Sequence, residues 1–148
     1  MADPLRNIDL RVARACAFWE NLSPATLSSL RAVYADDVRF RDPFNDLRGV
    51  DALDALLTRM FQRLDATRFV VLEVALQEDG AVLVWDFHYR LRNWQPSRER
   101  LIHGTTHLRF GADGRVVDHR DYWDAATQVY EHLPLVGTLL RWLKRRLG

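Results

Sequence analysis

The sequence predicts an α+β domain in which helices pack on one face of a curved antiparallel sheet. Three observations carry this prediction. Apolar residues repeat at helical spacing through the first 64 residues, and from residue 68 onward the period changes to two. Short segments containing Gly, Pro, Asn or Asp separate the alternating stretches, as hairpin connections do.

Three helices and a short strand are predicted before residue 65. Apolar residues at helical spacing indicate a first helix over residues 8–22. Ser23 as N-cap and Pro24 at the first helical position begin a second helix, which ends at Asp36-Asp37. Alternation predicts a strand over 38–42, and residues 50–64 give the longest and cleanest helical pattern.

Strands are predicted over residues 68–77, 81–92, 99–110 and 115–124, followed by a short helix over 125–133. Pro134 interrupts that helix, and a last amphipathic helix covers residues 135–147. The whole chain is thus expected to form a single domain, with its core over about residues 8–133 and the last helix as an addition.

Composition limits the class of protein. A chain of 148 residues that is 48% hydrophobic and 28% charged suits one soluble globular domain. The net charge of +1 gives no reason to expect nucleic-acid binding. The single cysteine, Cys16, cannot form an intrachain disulfide, and neither a signal peptide nor a membrane-spanning run is recognisable, so we expect a cytoplasmic protein.

The last helix combines apolar residues with Arg141, Lys144, Arg145 and Arg146, and no acid lies among them. The interpretation we favour is a helix that docks on its own domain or on a second subunit and shows a charged outer face. The alternative is a surface-seeking helix that makes weak contact with an anionic membrane.

The strongest candidate site residues lie on the last predicted strand. His119 and Asp121 are two residues apart, so they share a face with Trp123 and Val117, whereas Asp118 and Arg120 lie on the other face. A carboxylate beside an imidazole suits acid–base chemistry, and it also suits a purely structural pair that joins two strands. Asp42, just before Pro43, could cap a turn or face a pocket.

Metal and phosphate chemistry lack their usual signatures. His103 and His107 alternate with polar residues and are expected to face outward, and no paired cysteines or helical histidine pairs are present. The sequence also has no P-loop, dinucleotide fingerprint or serine-hydrolase elbow. We therefore expect neither a metal nor an organic cofactor.

Two segments carry a family resemblance: Tyr34-Ala35-Asp36-Asp37-Val38-Arg39-Phe40-Arg41-Asp42-Pro43, and Asp113 to Asp124 with its Asp118-His119-Arg120-Asp121-Tyr122-Trp123 ending. This pattern resembles the nuclear-transport-factor-2-like superfamily, especially its ketosteroid-isomerase, SnoaL-type polyketide-cyclase and limonene-epoxide-hydrolase branches. The resemblance implies a cone-shaped (cystatin-like) fold. Enzymes, ligand binders and interaction modules all occur on such a fold.

The resemblance assigns roles to individual residues. Asp42 matches the proton-moving base of ketosteroid isomerases, but Phe18 and Thr106 stand where that branch has its two oxyanion donors, which argues against ordinary steroid isomerisation. Asp121 matches the acid/base of the cyclase branch and the last catalytic aspartate of the epoxide-hydrolase branch. Asp86 can fill the second aspartate position of the hydrolases, although Val84 stands where they have Arg.

The resemblance also bears on the orientation of strand 81–92. If Asp86 faces inward, the aromatic row Trp85, Phe87 and Tyr89 lies on the outer face, where it would suit a homodimer formed through the sheet. If the aromatic row lines the cone, Asp86 is merely solvated or paired. We favour the first arrangement.

The hypothesis is a SnoaL-like enzyme that performs isomerase, cyclase or epoxide-hydrolase chemistry on an apolar cyclic or polyketide-like compound without a cofactor. Asp121 is the principal acid/base, His119 its partner, Asp42 a second base or a residue that positions water, and Asp86 a network member. The expected ligand-contacting residues are Phe18, Trp19, Phe40, Thr106 and Trp123. The alternative is a non-catalytic ligand-binding or dimeric interaction module.

Overall fold

The computed structural model describes residues 9–148, so the predicted helix start at residue 8 lies outside the described residues. The helices are α1 (Leu10–Glu20), α2 (Leu30–Val33), α3 (Val50–Arg63), α4 (Ala125–Gln128) and α5 (Pro134–Leu147). The strands are β1 (Tyr34–Arg41), β2 (Asp46–Arg48), β3 (Leu64–Gln77), β4 (Gly80–Leu91), β5 (Arg100–Phe110) and β6 (Val116–Trp123). Short 3₁₀ turns at Leu27–Ser29 and Tyr130–His132 precede α2 and α5.

The described strands form one mixed sheet in the order β2-β1-β6-β5-β4-β3, and the helices α1, α2 and α3 cover its inner face. The predicted α+β class is confirmed, with one difference: β1 and β6 pair in parallel, whereas the other neighbouring strands are antiparallel. Register shifts interrupt the β3–β4 pairing near residues 65–68 and 71–73. Such bulges bend a strand, so the sheet curves around the helices and forms a cone.

The predicted helix after Ser23 is much shorter than expected. The Thr26 hydroxyl accepts a hydrogen bond from the Ser23 backbone N–H at 2.8 Å and donates to the Asn21 carbonyl at 2.8 Å, so the chain makes a turn there. Tyr34 then pairs with Val116 as the first residue of β1, and this contact with a distant strand ends the helix at Val33.

Strand β2 was not predicted, because its three residues lie in a polar segment that the pattern assigns to a loop. It pairs with the end of β1, and an ion pair between Arg39 and Asp46 at 2.9 Å joins the two strands. The prediction for α3 is confirmed almost to the residue, because its buried stripe includes Val50, Leu53 and Leu57.

The aromatic row of β4 lies inside the cone. Trp85, Phe87 and Tyr89 are buried, and Phe87 stacks on Phe69 with ring centroids 4.1 Å apart. Asp86 therefore lies on the outer face, where it meets His103 Nδ1 at 2.7 Å. The expected inward orientation of Asp86 is wrong, and the outer aromatic patch that suggested a homodimer is absent from the described sheet.

The expected faces of β6 need one correction. The pairing of β6 with β5 shifts register between Arg109 and Phe110, which breaks the alternation of β6 near Val117. As a result Val116 is buried on the same side as His119, and Val117 is not. The outward placement of His103 and His107 is confirmed, since both bond to partners on the outer face.

Helix α5 lies against the 3₁₀ turn at residues 130–132 with an orientation opposite to the one predicted. Gly137 faces the domain, while Leu135, Leu139 and Trp142 are exposed. The expected docking of the apolar stripe on the helix's own domain is thus wrong, and its docking on a second subunit stays a prediction. Among residues 9–148, no helix combines the length and apolar character that a bilayer span requires.

Candidate functional site

A small apolar cavity opens between the inner face of the sheet and the end of α1. It is lined by Trp19, Phe69, Val71, Leu83, Trp85, Thr106, His119 and Asp121. The cavity is narrow, because its free interior measures about 20 Å³, which holds about one water molecule. Almost all of the lining is apolar, so the few polar atoms that reach it determine what it can do chemically.

Asp121 is the carboxylate of this cavity. Its side chain is 15% exposed, and its Oδ1 atom accepts hydrogen bonds from His119 Nε2, at 2.8 Å, and from the Thr106 hydroxyl. The second oxygen, Oδ2, accepts no hydrogen bond from the described residues. This oxygen is therefore the atom that is available to a ligand.

His119 connects that carboxylate to the interior. The side chain is 2% exposed, and its Nδ1 atom lies 2.8 Å from the Tyr34 hydroxyl oxygen, which in turn accepts a hydrogen bond from Trp19 Nε1 at 2.7 Å. Phe40 stacks on the imidazole with ring centroids 4.6 Å apart. Both ring nitrogens and one ring face are thus held in place.

The hydrogen-bond partners assign the protons of this network. Since Trp19 Nε1 can only donate, the Tyr34 oxygen accepts that bond and its hydroxyl proton goes to His119 Nδ1. His119 then carries its single proton on Nε2 and donates it to Asp121. An imidazolium would leave the buried Tyr34 proton without an acceptor, at a cost of about 1–3 kcal/mol.

The environment of Tyr34 keeps it a donor. Burial raises the pKa of the Tyr34 phenol far above its usual value, so the hydroxyl retains its proton at neutral pH. Nearby on α1, burial raises the pKa of Cys16 from 9.0 to about 11, which keeps this thiol protonated and unreactive at neutral pH.

A second chain of donors reaches Asp121 from β4. Trp85 Nε1 donates to the Thr106 hydroxyl at 2.7 Å, and Thr106 donates to Asp121. Gly104, directly opposite Trp85 in the sheet, makes room for the indole, because a Cβ atom there would lie 2.7 Å from the ring. Two donor chains, from Trp19 and from Trp85, therefore end on one carboxylate oxygen.

Four of the residues predicted for the site line the cavity together: Trp19, Thr106, His119 and Asp121. Phe18 and Phe40 lie one layer behind it. Phe18 packs edge-on against Trp19 and Tyr34, and Phe40 supports the His119 ring. These two residues shape the wall without contacting the free space.

Asp42 and Trp123 lie elsewhere, in an open groove outside the cavity that Asp121 also borders. Asp42 caps the turn after β1, since its Oδ1 accepts the backbone N–H groups of Phe44 and Asn45 at 2.7 Å each. Trp123 packs edge-on against Phe44. Asp42 thus caps a turn and also borders the outer groove, whereas it does not line the inner cavity.

Sequence reasoning missed Tyr34, Phe69 and Trp85 as residues of the site. Tyr34 was placed at the end of a helix, and Trp85 was placed on the outer face with the other β4 aromatics. The alternation on β4 contained a usable signal, because a row of Trp, Phe and Tyr on one face is more easily buried than one of Asp, His and Arg.

Among residues 9–148, no group of three or more His, Cys, Asp or Glu side chains is arranged to hold a metal ion. The ionisable groups in or next to the cavity are the Asp121 carboxylate, the His119 imidazole and the buried Tyr34 phenol, set in an aromatic wall.

A cone in which helices pack on a curved sheet, with a buried histidine–aspartate pair on its inner wall, defines a class of small α+β domains. More particularly, the chain belongs to the SnoaL-like domain family, whose model matches residues 15–119. The resemblance noted from the two sequence segments is thereby confirmed at the level of the family.

Solved structures show the same fold at low sequence identity. A ketosteroid-isomerase-like protein from Catenulispora acidiphila, in complex with trimethylamine, is 14% identical with a TM-score of 0.67, covering 80% of this chain and 88% of that one. An epoxide hydrolase of the LEH-like type from M. tuberculosis is 17% identical with a TM-score of 0.66, covering 91% and 94%.

A protein described as a SnoaL-like polyketide cyclase, from Shewanella putrefaciens, is 18% identical with a TM-score of 0.69, covering 83% of this chain and 98% of that one. A search of curated protein sequences finds no significant match. These likenesses establish the fold, and the activity must be argued from the site itself.

Proposed function

We propose that this chain is a cofactor-free enzyme that transfers a proton within a small apolar compound, with Asp121 as the general acid/base. The proposal rests on the hydrogen bonding of the two oxygens of the Asp121 carboxylate. Asp121 is the one carboxylate among the described residues that line the cavity, and two donor chains hold Oδ1 while Oδ2 has no donor among residues 9–148. A base held by one oxygen is oriented for proton transfer by the other.

The reaction we infer begins at a carbon made acidic by a neighbouring carbonyl group. Asp121 Oδ2 takes a proton from that carbon, and the electron pair of the broken C–H bond moves toward the carbonyl oxygen. In an isomerisation the carboxylic acid returns the same proton to another carbon. In a ring closure the carbon attacks a second carbonyl group, and the proton goes to the oxygen of the new alcohol.

His119 acts as a positioning residue in this scheme. Its Nε2–H donates to Oδ1, and Tyr34 fixes the ring in that tautomer. The wall formed by Trp19, Phe69 and Trp85 offers an apolar surface to the rest of the substrate. A ligand larger than a water molecule must widen this cavity when it binds, so a compact substrate fits best.

Epoxide hydrolysis fits the geometry less well. That reaction needs one group to activate water and another to protonate the epoxide oxygen. Asp86 lies on the outer face against His103, and both nitrogens of His119 are already engaged. Of the three reaction types expected from the family, isomerisation and ring closure are therefore the ones we propose.

The narrow cavity favours a second candidate, a non-catalytic ligand-binding or interaction module. In that case the polar groups satisfy one another, and the Asp121 network only stabilises the cone. The two candidates differ in one observable property: only an enzyme accelerates proton exchange at carbon.

Proton exchange at carbon can be measured without knowing the product. A panel of small cyclic ketones is incubated with the protein in D₂O, and mass spectrometry follows deuterium incorporation next to the carbonyl. We expect the wild type to accelerate exchange of at least one ketone, and Asp121→Asn to reduce that rate at least a hundredfold. Asp86→Asn, which changes a carboxylate on the outer face, is the matched control and should keep the wild-type rate.

Two results would overturn the proposal. Equal exchange rates for Asp121→Asn and the wild type would show that the carboxylate does not act, and no acceleration by the wild type with any ketone would favour the module. The homodimer and the cytoplasmic location stay predictions, and sedimentation velocity of the purified chain tests the first of them.

A further inference from the structure

Helix α5 contacts the rest of the domain through its small and polar side. Gly137 is buried against the turn before the helix, where a Cβ atom would lie 2.1 Å from the Glu131 carbonyl oxygen. Arg141 Nη1 donates to the same carbonyl at 3.0 Å, and Lys144 Nζ lies 3.1 Å from Glu131 Oε1. Residues 137, 141 and 144 follow one helix face, so this face is the docked one.

The apolar residues of α5 therefore point away from the domain. Leu135 is 87% exposed and Leu139 56%, and the other large apolar side chains of this outer face are also exposed: Val136, Trp142, Leu143 and Leu147. A helix at the surface of a soluble domain normally has the opposite orientation, with its apolar stripe on the core. An apolar face of this extent marks a site of interaction.

The charge of the helix restricts what can cover this face. Residues 132–148 contain Arg141, Lys144, Arg145 and Arg146 and no Asp or Glu. Arg146 lies over the Trp142 ring, 5.4 Å from its centroid, at the C-terminal end of the apolar face. A second copy of α5 packed in parallel against this face would bring the exposed Arg145 and Arg146 of both copies together, whereas an anionic surface would be attracted.

We propose that α5 binds peripherally to an anionic lipid bilayer, with its axis in the plane of the membrane. The outer apolar face enters the boundary between headgroups and acyl chains, Trp142 lies at that boundary, and the exposed Arg145 and Arg146 side chains reach the phosphates. The contacts of Gly137, Arg141 and Lys144 with residues 127–131 fix this orientation before the protein meets the membrane.

Flotation of the full chain with lipid vesicles tests the proposal. Vesicles of phosphatidylcholine alone are compared with vesicles that also contain phosphatidylglycerol. We expect the wild type to float with the anionic vesicles, to bind neutral vesicles at least tenfold more weakly, and to be released by high salt. The double variant Leu135→Glu, Leu139→Glu should lose at least tenfold in binding.

The control is Leu10→Glu, which changes a leucine that is 75% exposed on α1 and should bind like the wild type. Circular dichroism verifies that each variant is folded. The proposal is wrong if the wild type does not float with anionic vesicles, or if the double variant floats equally well. It is also wrong if the double variant turns a dimer into a monomer while the wild type ignores vesicles, because a second copy then covers the face.

Discussion

His119 and Asp121, two residues apart on β6, meet through Nε2 and Oδ1 at 2.8 Å on the wall of the cavity. Each partner is also held by a second hydrogen bond, His119 by the Tyr34 hydroxyl and Asp121 by the Thr106 hydroxyl. The free carboxylate oxygen on which the proposed chemistry depends is a consequence of this arrangement.

Tyr34→Phe tests the buried half of the network. The substitution removes the hydroxyl that accepts a hydrogen bond from Trp19 Nε1 and donates one to His119 Nδ1. These two nitrogens are then left unpaired in the interior. We expect the free energy of unfolding to fall by about 1–3 kcal/mol in urea titrations. Tyr89→Phe, at a buried tyrosine outside the network, should change it by less than about 1 kcal/mol. Equal losses in the two variants would show that the Tyr34 hydroxyl has no special role.

Gly104→Ala tests the close packing of the Trp85 indole against the backbone of Gly104. The new methyl group would meet the indole at 2.7 Å, so the ring must move and its bond to Thr106 must weaken. We expect a loss of about 1–3 kcal/mol in the free energy of unfolding. In a Trp85→Leu background the same substitution should cost less than it does in the wild type, since the contact with the indole is gone and only the 3.1 Å approach to Trp123 Cβ remains. An unchanged cost in that background would contradict the packing described for this site.

The raised pKa of Cys16 should lower the free energy of unfolding at high pH. The thiol has a pKa of about 11 in the folded protein and 9.0 as its ordinary value, so the unfolded chain loses this proton first. The free energy of unfolding should therefore decrease as the pH rises through 9 toward 11. Urea titrations at pH 8 and pH 10.5 measure the effect. Cys16→Ala should show a smaller decrease, and an equal decrease in this variant would assign the effect to other groups such as Tyr34.

Asp42→Asn tests whether Asp42 caps the turn after β1 or acts as the base in proton transfer. Asparagine can accept the same backbone N–H groups of Phe44 and Asn45, so we expect a loss of less than about 1 kcal/mol in the free energy of unfolding. The deuterium exchange rate should stay within about twofold of the wild type. A loss as large as that of Asp121→Asn would show that Asp42 is the working base, in agreement with the ketosteroid-isomerase resemblance.

The sequence predicted the long elements well and the short ones poorly. Helix α3 and strands β3 to β6 have enough periodic residues for their patterns to be read locally. The end of α2 could not be predicted, because Tyr34 becomes a strand residue through its pairing with Val116, 82 positions away. A contact between distant segments decides such boundaries, and local propensity does not contain it.

The candidate site was predicted in part for the same reason. The spacing of His119 and Asp121 placed them on one face, and the family resemblance added Thr106. The error at Asp86 arose because alternation on β4 says which residues share a face and does not say which face is inner. The donors Trp19, Tyr34 and Trp85 come from three separate elements, so only the fold shows that they converge on one carboxylate.

The His119 ring orients Asp121 by donating a proton from Nε2 to Oδ1, and nitrogen NMR of this ring measures the direction of that donation. In a long-range ¹H–¹⁵N correlation spectrum at pH 7, we predict a protonated Nε2 and an unprotonated Nδ1, the latter accepting from Tyr34. Asp121→Asn should change the Nε2 resonance more than the Nδ1 resonance. A ring protonated on Nδ1, or on both nitrogens, would contradict the account.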